Sequence, residues 1–324
     1  MRITAPMRIL FVTSTRIGDA VLSSGLVHHL IRTYPEARLT IACGPVAAPL
    51  FEAVPGLDRV IVLEKRPFAG HWLGLWSSTV TTFWDLVVDL RGSVATMLLP
   101  RRRRRAYYTD RAPVHRLIAL SKVLDLDEPE LPGLWTSPAH EAEAARLTDG
   151  AGPILALGPT ANWPCKEWPI ARFVALVERL TGDDGPLPGA RVMVLGAPSE
   201  RDTARPLLDA IAAERKIEVF DDVSLLAAYA CLKRADLYIG NDSGLMHMAA
   251  AAGVPTLGLF GPTQDLHYAP FGPRAAVVRT PEPYDELMSR TDALTERTCL
   301  MGGLTVDAVE QTARALLART RKAA

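Results

Sequence analysis

Short runs of aliphatic and β-branched residues alternate along the chain with segments whose apolar residues recur at helical spacing. In the first half, residues 9–12, 39–42, 60–63 and 86–90 are apolar runs of strand length. Between the first two, Leu22, Leu26 and Leu30 recur every fourth residue and give a helix one apolar face. A second series has runs at 154–157, 192–195, 219–220, 237–239 and 256–260. Such βαβ alternation predicts an α/β fold of two doubly wound, Rossmann-like domains, each a mainly parallel sheet covered on both faces. The stretch Asp149-Gly150-Ala151-Gly152-Pro153 separates the series, so the expected domains are 1–150 and 151–324. Residues 306–317 read as a final helix after Thr305, whereas 281–298 has no legible pattern. Ligand sites in paired domains of this kind usually lie in an interdomain cleft.

Composition narrows this picture. A length of 324 residues suits two domains, and the 48% hydrophobic content is enough for two compact cores. The cysteines Cys43, Cys165, Cys231 and Cys299 lie far apart, without metal-ligand spacing, which predicts reduced thiols in a cytoplasmic protein. The run at 9–12 is interrupted by Thr13, Ser14 and Arg16 and is neither a signal peptide nor an anchor. No later run approaches the roughly 20 apolar residues of a membrane span. The expected protein is soluble and at most attached to a membrane surface. Formal net charge is zero, yet 91–122 holds nine Lys or Arg against one acid, Asp110. That local excess predicts an anionic partner.

Two turns carry the most chemistry. Tyr238-Ile239-Gly240-Asn241-Asp242-Ser243-Gly244-Leu245-Met246-His247 reads as strand, polar turn and helix, and Gly253-Val254-Pro255-Thr256-Leu257-Gly258-Leu259-Phe260-Gly261-Pro262-Thr263 as a second strand and turn. Both turns fall at carboxyl ends of parallel strands, where open α/β sheets bind ligands. Free N–H groups at the start of the Gly244 helix suit a phosphate. Ordinary βα turns rich in Gly and Asp have the same local look.

The order of these motifs resembles the ADP-heptose:lipopolysaccharide heptosyltransferases, glycosyltransferase family 9. Three further stretches agree: Arg8-Ile9-Leu10-Phe11-Val12 leading to Ile17-Gly18-Asp19; Gly158-Pro159-Thr160-Ala161-Asn162 with Lys166-Glu167-Trp168-Pro169; and Leu195-Gly196-Ala197-Pro198-Ser199-Glu200. The resemblance implies a metal-independent GT-B enzyme that inverts the anomeric centre, with no cofactor. It also implies a final helix crossing back onto the first domain, and an acceptor with Kdo carboxylates and lipid A phosphates at the cytoplasmic face of the inner membrane. A different nucleotide sugar, or an idle sugar-nucleotide binding protein on the same fold, is the alternative.

Each residue has a bland reading beside the sharp one. Asp19 resembles the family's catalytic base, but at a first helical turn it equally suits an N-cap. By the same resemblance Lys166 would balance charge on a leaving diphosphate, with Thr160 and Asn162 as hydrogen-bonding partners; elsewhere such a lysine is solvated. Glu200 suits ribose hydroxyls or the next helix's first turn. Asp242, Ser243 and Gly244 would meet the sugar nucleotide, Asp242 bonding sugar hydroxyls, backbone amides or Lys166 rather than phosphate. His247 can reach ligand or fill the helix–sheet interface, and Thr263 can bond a sugar or phosphate oxygen. Arg91, Arg102 and Arg104 are the acceptor candidates; the Arg101 to Arg105 run reads as a loop able to meet nucleic acid, anionic lipid or phosphorylated saccharide, or as solvated surface. The resemblance favours the saccharide and no nucleic acid. Asp125-Leu126-Asp127 has the spacing of a metal-binding pair, but lies in an acidic loop. Trp72, Trp76, Val80 and Trp84 form a stripe at helical spacing that suits core packing before a membrane.

Overall fold

The computed structural model describes residues 6–108, 113–289 and 298–322, in two compact units that divide between Ser137 and Pro138. Unit 1 runs β1 (Arg8–Val12), α1 (Ile17–Thr33), β2 (Arg38–Cys43), β3 (Leu57–Val62), α2 (Gly70–Thr79), β4 (Trp84–Asp89), α3 (Val94–Met97), β5 (Arg101–Ala106) and α4 (Arg116–Ser121). Its sheet has the order β3-β2-β1-β4-β5, parallel throughout. The order reverses between β1 and β4, where Val12 lies beside Asp89, so the loops after these two residues flank the ligand crevice of such a sheet.

The periodic face of α1 is buried at Val21, Leu22, Leu26, Val27 and Leu30. Trp72, Trp76 and Val80 pack on the core that includes Trp84. Core packing is thus correct for them, but Trp84 stands on β4 rather than on the helix. The run Arg101 to Arg105 is not a loop either. Its backbone forms β5, an edge strand whose pairing with β4 needs no apolar side chains. Asp110 and Arg111 lie outside the described residues.

Unit 2 runs α5 (Pro138–Leu147), β6 (Ile154–Gly158), α6 (Ile170–Thr181), β7 (Arg191–Leu195), α7 (Arg201–Ala210), β8 (Lys216–Val219), α8 (Leu225–Leu232), β9 (Leu237–Asn241), α9 (Gly244–Ala251), β10 (Thr256–Phe260), α10 (Asp265–Tyr268), β11 (Ala275–Arg279), α11 (Tyr284–Ser289) and α12 (Val306–Lys322). The sheet order is β11-β10-β9-β6-β7-β8, again all parallel, with its reversal between β6 and β9. Apolar residues of α6 at Phe173, Leu176, Val177 and Leu180 meet those of α12 at Val309, Ala313, Leu316 and Leu317 in one core.

The division falls thirteen residues before Gly150, because α5 packs against α8 and Glu141 bonds Lys233. The helix expected to return to the first domain has its buried apolar face on β10, β11 and α6 of unit 2. Within 281–298, α11 occupies Tyr284–Ser289, and 290–297 lie outside the described residues.

Candidate functional site

In unit 1 the loops after β1 and β4 border a cavity of about 240 Å³ lined by Thr13, Ser14, Asp19, Ser23, Leu90, Arg91, Tyr107, Arg116 and Leu120. Asp19 sits in the first turn of α1, whose N-cap position is Arg16 without a side-chain cap, so the carboxylate is not the cap. Ser14 Oγ donates to Asp19 Oδ2 at 3.4 Å, a long bond, and Asp19 forms no ion pair with a described residue. Thr13 and Ser23 hold each other at 2.7 Å beneath it.

Asp89, wholly buried at the end of β4, accepts hydrogen bonds from Arg91 N (2.9 Å), Ser93 N (2.7 Å), Ser93 Oγ (3.0 Å) and Thr96 Oγ1 (2.6 Å). Arg104 completes the set with a 3.2 Å ion pair, its side chain only 9% exposed. Arg104, expected to meet an acceptor, is therefore committed inward to Asp89 and Thr96. Arg102 is exposed on β5 and does not line the cavity, whereas Arg91 does. Asp125, in a left-handed backbone conformation, pairs with Arg105 at 2.8 Å rather than with Asp127 in a ligand set.

The cavity has a second cation that sequence reasoning counted but did not single out. Arg116 stacks its guanidinium over the Tyr107 ring, 4.3 Å from the centroid, and its Nε is buried without a hydrogen-bond partner. Nothing in the spacing marks it, since it reaches the cavity only where α4 lies against α1. Asp89 did leave a signal: an acid inside the apolar run 86–90.

In unit 2 the corresponding loops follow β6 and β9. Gly158 and Gly240 lie side by side in register, and a Cβ at either would come within 2.1 or 2.4 Å of the Tyr238 hydroxyl. Glycine there admits a fully buried phenol beneath the loops. Burial pushes that phenol's pKa up, and the nearby Ser243 hydroxyl opposes the rise, although the two hydroxyls do not form a well-aligned hydrogen bond.

Asn241, wholly buried, accepts from Trp168 N (3.0 Å) and donates to Pro159 O (2.7 Å), tying the segment that carries Lys166 to the strand ends. Trp168 is anchored further through Nε1 to Leu304 O at 2.9 Å. Lys166 Nζ thereby lies 3.5 Å from Asp242 Oδ2, with both side chains 12% exposed. This is one of the partners expected for Asp242.

Glu200 Oε2 accepts from both Thr160 Oγ1 and Ala197 N at 2.8 Å, so this oxygen serves the turn before α7. Ser243 occupies the N-cap of α9, immediately before Gly244, with a buried Oγ that has no hydrogen-bond partner; the same is true of Thr263 Oγ1. His247 is buried one turn into α9. Asn162 is exposed on its loop. Buried hydroxyls without a hydrogen-bond partner, that of Ser243 at a helix start, are suited to receive oxygens of an anionic ligand.

Comparison with known proteins places the fold and the family. The family model "Glycosyltransferase family 9 (heptosyltransferase)" matches residues 79–296, about two-thirds of the chain. A lipooligosaccharide heptosyltransferase 2 of Haemophilus influenzae is 25% identical over 313 residues, covering 84% of this chain and 88% of that protein. Among solved structures, a family 9 glycosyl transferase from Veillonella parvula superposes with a TM-score of 0.79 at 19% identity, over 96% of this chain and 97% of that one. The E. coli ADP-heptose LPS heptosyltransferase II does so with a TM-score of 0.73 at 20% identity, over 97% and 100%. At such identities the structures establish the fold, GT-B with two Rossmann-like domains. The family model reaches further, and this chain is accordingly a member of glycosyltransferase family 9, the heptosyltransferase family.

Proposed function

We propose that the chain transfers a heptose from ADP-heptose to the lipopolysaccharide core with inversion of the anomeric centre, on the cytoplasmic side of the inner membrane. The observation that carries this reading is the unpaired Asp19 carboxylate in a cavity that also holds Arg91 and Arg116. An acceptor bearing carboxylates or phosphates would meet the guanidinium groups while its hydroxyl meets Asp19. Relatives that match over most of their length are heptosyltransferases, which supports the donor sugar.

In a single displacement the acceptor oxygen forms its bond to the anomeric carbon as Asp19 takes the hydroxyl proton. The bond from that carbon to ADP breaks, and its electron pair leaves on the diphosphate. Lys166 and the N–H groups at the start of α9 stabilise that growing charge, with Ser243 and Thr263 hydroxyls donating to phosphate oxygens. Asp242 would hold Lys166 in place and accept from sugar hydroxyls. Thr160, Asn162, Glu200 and His247 complete the donor side in this proposal. With a lysine and a helix start supplying positive charge, the reaction as proposed uses no metal ion and no cofactor.

Calorimetric titration with ADP, UDP and GDP in EDTA tests the donor half. Selective ADP binding, weakened at least about tenfold by Lys166→Ala, is the expected result. Preference for UDP or GDP redirects the donor assignment, and a metal requirement overturns the metal-free proposal.

A further inference from the structure

The structure assigns a membrane-docking surface to unit 1: the tip at Phe68, the outer face of α2 and the short helix α3, flanked by cations. This assignment rests on the proposed reading in one respect, that the acceptor is presented at a lipid surface.

Phe68 is wholly exposed, and Leu73, Val94 and Leu98 are each about two-thirds exposed. The four lie on two elements that pack against one another, α2 with its preceding turn and α3 with its C-cap residue Leu98. They face away from the core, because the opposite face of α2, at Trp72, Leu75 and Trp76, already covers it.

Holding Phe68 out has a conformational cost. Phe68 and Ala69 are consecutive non-glycine residues in the left-handed region, at φ 52° and 57°. L-residues rarely adopt that backbone, still less in pairs, so the turn is not a default arrangement. It presents the largest apolar side chain of the segment to solvent, which folding alone does not favour.

Charge selects the occupant. Lys65 and Arg66 stand beside Phe68, and Glu64 is the only acid from Val62 to Leu73. From Val94 to Ala106 there are five arginines and no acid; Arg104 pairs with Asp89 and Arg105 with Asp125, which leaves Arg101, Arg102 and Arg103 as the cations of this flank. Arg104 points to Thr96 of α3, so by the two-residue alternation of a strand the exposed Arg102 shares that face. Apolar side chains within a cationic surround suit a bilayer with anionic headgroups, where the cations meet phosphates and the apolar groups enter the acyl boundary. Among the described residues no helix is long and apolar enough to cross a membrane, so docking of this kind would be peripheral.

Position supports the same occupant. Val94 opens α3 three residues after Arg91, which lines the Asp19 cavity. A membrane seated on α2 and α3 lies beside that cavity, where a lipid-borne saccharide would enter.

Co-sedimentation of the full chain with vesicles tests this. Wild type is expected to bind vesicles of phosphatidylethanolamine with phosphatidylglycerol and not those of phosphatidylcholine alone. Phe68→Ser with Leu73→Ser should lower partitioning at least about tenfold, and Lys65→Glu with Arg66→Glu at least about 25-fold. All four positions are exposed and outside both loop clusters, so ADP affinity should not change in either variant. Loss of vesicle binding with intact ADP binding supports the surface. Wild type that ignores anionic vesicles, or variants that bind as well as wild type, overturns it. So does a wild-type dimer that the Phe68 and Leu73 changes make monomeric, since a second copy would then be the occupant. Absent ADP binding alongside vesicle binding would instead count against the transferase reading alone.

Discussion

The loops after β4 and β9 do the same job in the two units by different chemistry. Each strand stands at the reversal point of its sheet and ends on a wholly buried polar residue: Asp89 in unit 1, Asn241 in unit 2. Asn241 is neutral and joins two backbone groups, so it needs no counter-charge. Asp89 is an acid that gathers four hydrogen bonds from its own loop and the start of α3, and it requires Arg104 beside it. The surrounding charges then differ as well. In unit 2 the lysine and the acid face each other, Lys166 with Asp242, whereas Asp19 and Arg116 in unit 1 have no ion-pair partner among the described residues. Unit 2 presents a charge-balanced surface and unit 1 uncommitted ones, as expected if the first holds a donor and the second works on an anionic acceptor.

The sharpest way to break that comparison is Asp19→Asn. If Asp19 is uncommitted because it takes a proton, turnover should fall by about 10²- to 10⁴-fold while ADP affinity stays at the wild-type value. Single-turnover kinetics alongside calorimetry would separate the two quantities. A variant that keeps near-normal turnover would show that another group accepts the proton.

Next in size is the contrast between the anchors. Arg104→Met leaves Asp89 buried without its partner and should cost about 3–5 kcal/mol of unfolding free energy in denaturant titration. Asn241→Ala, which strands two neutral backbone groups, should cost about 1–3 kcal/mol. Adding Asp89→Asn to Arg104→Met should restore part of the loss. Equal costs for the two single changes would mean that the charge on Asp89 is solvated despite its burial.

Parts of this architecture were legible in the sequence and parts were not. Strands such as 9–12 and 256–260 are buried on both faces and so appear as continuous apolar runs. β5 was invisible because an edge strand gains its place from backbone pairing, and five arginines look like solvated loop. The contact division differs from the boundary read at Gly150 because Gly150 and Gly152, both at positive φ, mark a turn that lies inside unit 2 after α5. Asp19, Lys166 and Asp242 were singled out by motif order. Arg116 was not, since its relation to Asp19 is created only when α4 is laid beside α1. Arg104 was assigned the wrong surroundings because strand alternation, which turns it inward, cannot be read before the strand is recognised.

Arg116→Gln sharpens the acceptor side. Its Nε is buried without a partner, and a hydrogen bond to a charged group contributes about 1.5–3 kcal/mol, so KM for an anionic acceptor should rise roughly 10- to 100-fold. Donor KM should not move. An unchanged acceptor KM would make Arg116 a packing partner for Tyr107 and nothing more.

The smallest effect concerns Glu167, a carboxylate held among the donor loops. It is half-buried, and its side chain accepts from Ala161 N at 2.8 Å. Burial raises its pKa, the Ala161 N–H opposes the rise, and the negative charge of Glu200 adds to it. The folded chain therefore holds this proton more tightly than the unfolded chain. The resulting stabilisation is complete below the unfolded pKa and disappears as pH rises through the folded one. At neutral pH the carboxylate is a mild liability in the folded state. Glu167→Gln keeps an acceptor for Ala161 N–H and removes the buried charge, so Tm should rise slightly at neutral pH, and that advantage should shrink on acidification through the carboxyl range. ADP affinity should be unchanged or a little higher, since one negative charge near the proposed diphosphate site has gone. A lower Tm at neutral pH would show that the Ala161 N–H bond to a full charge outweighs burial, making unit 2 reliant on a buried anion as unit 1 is on Asp89.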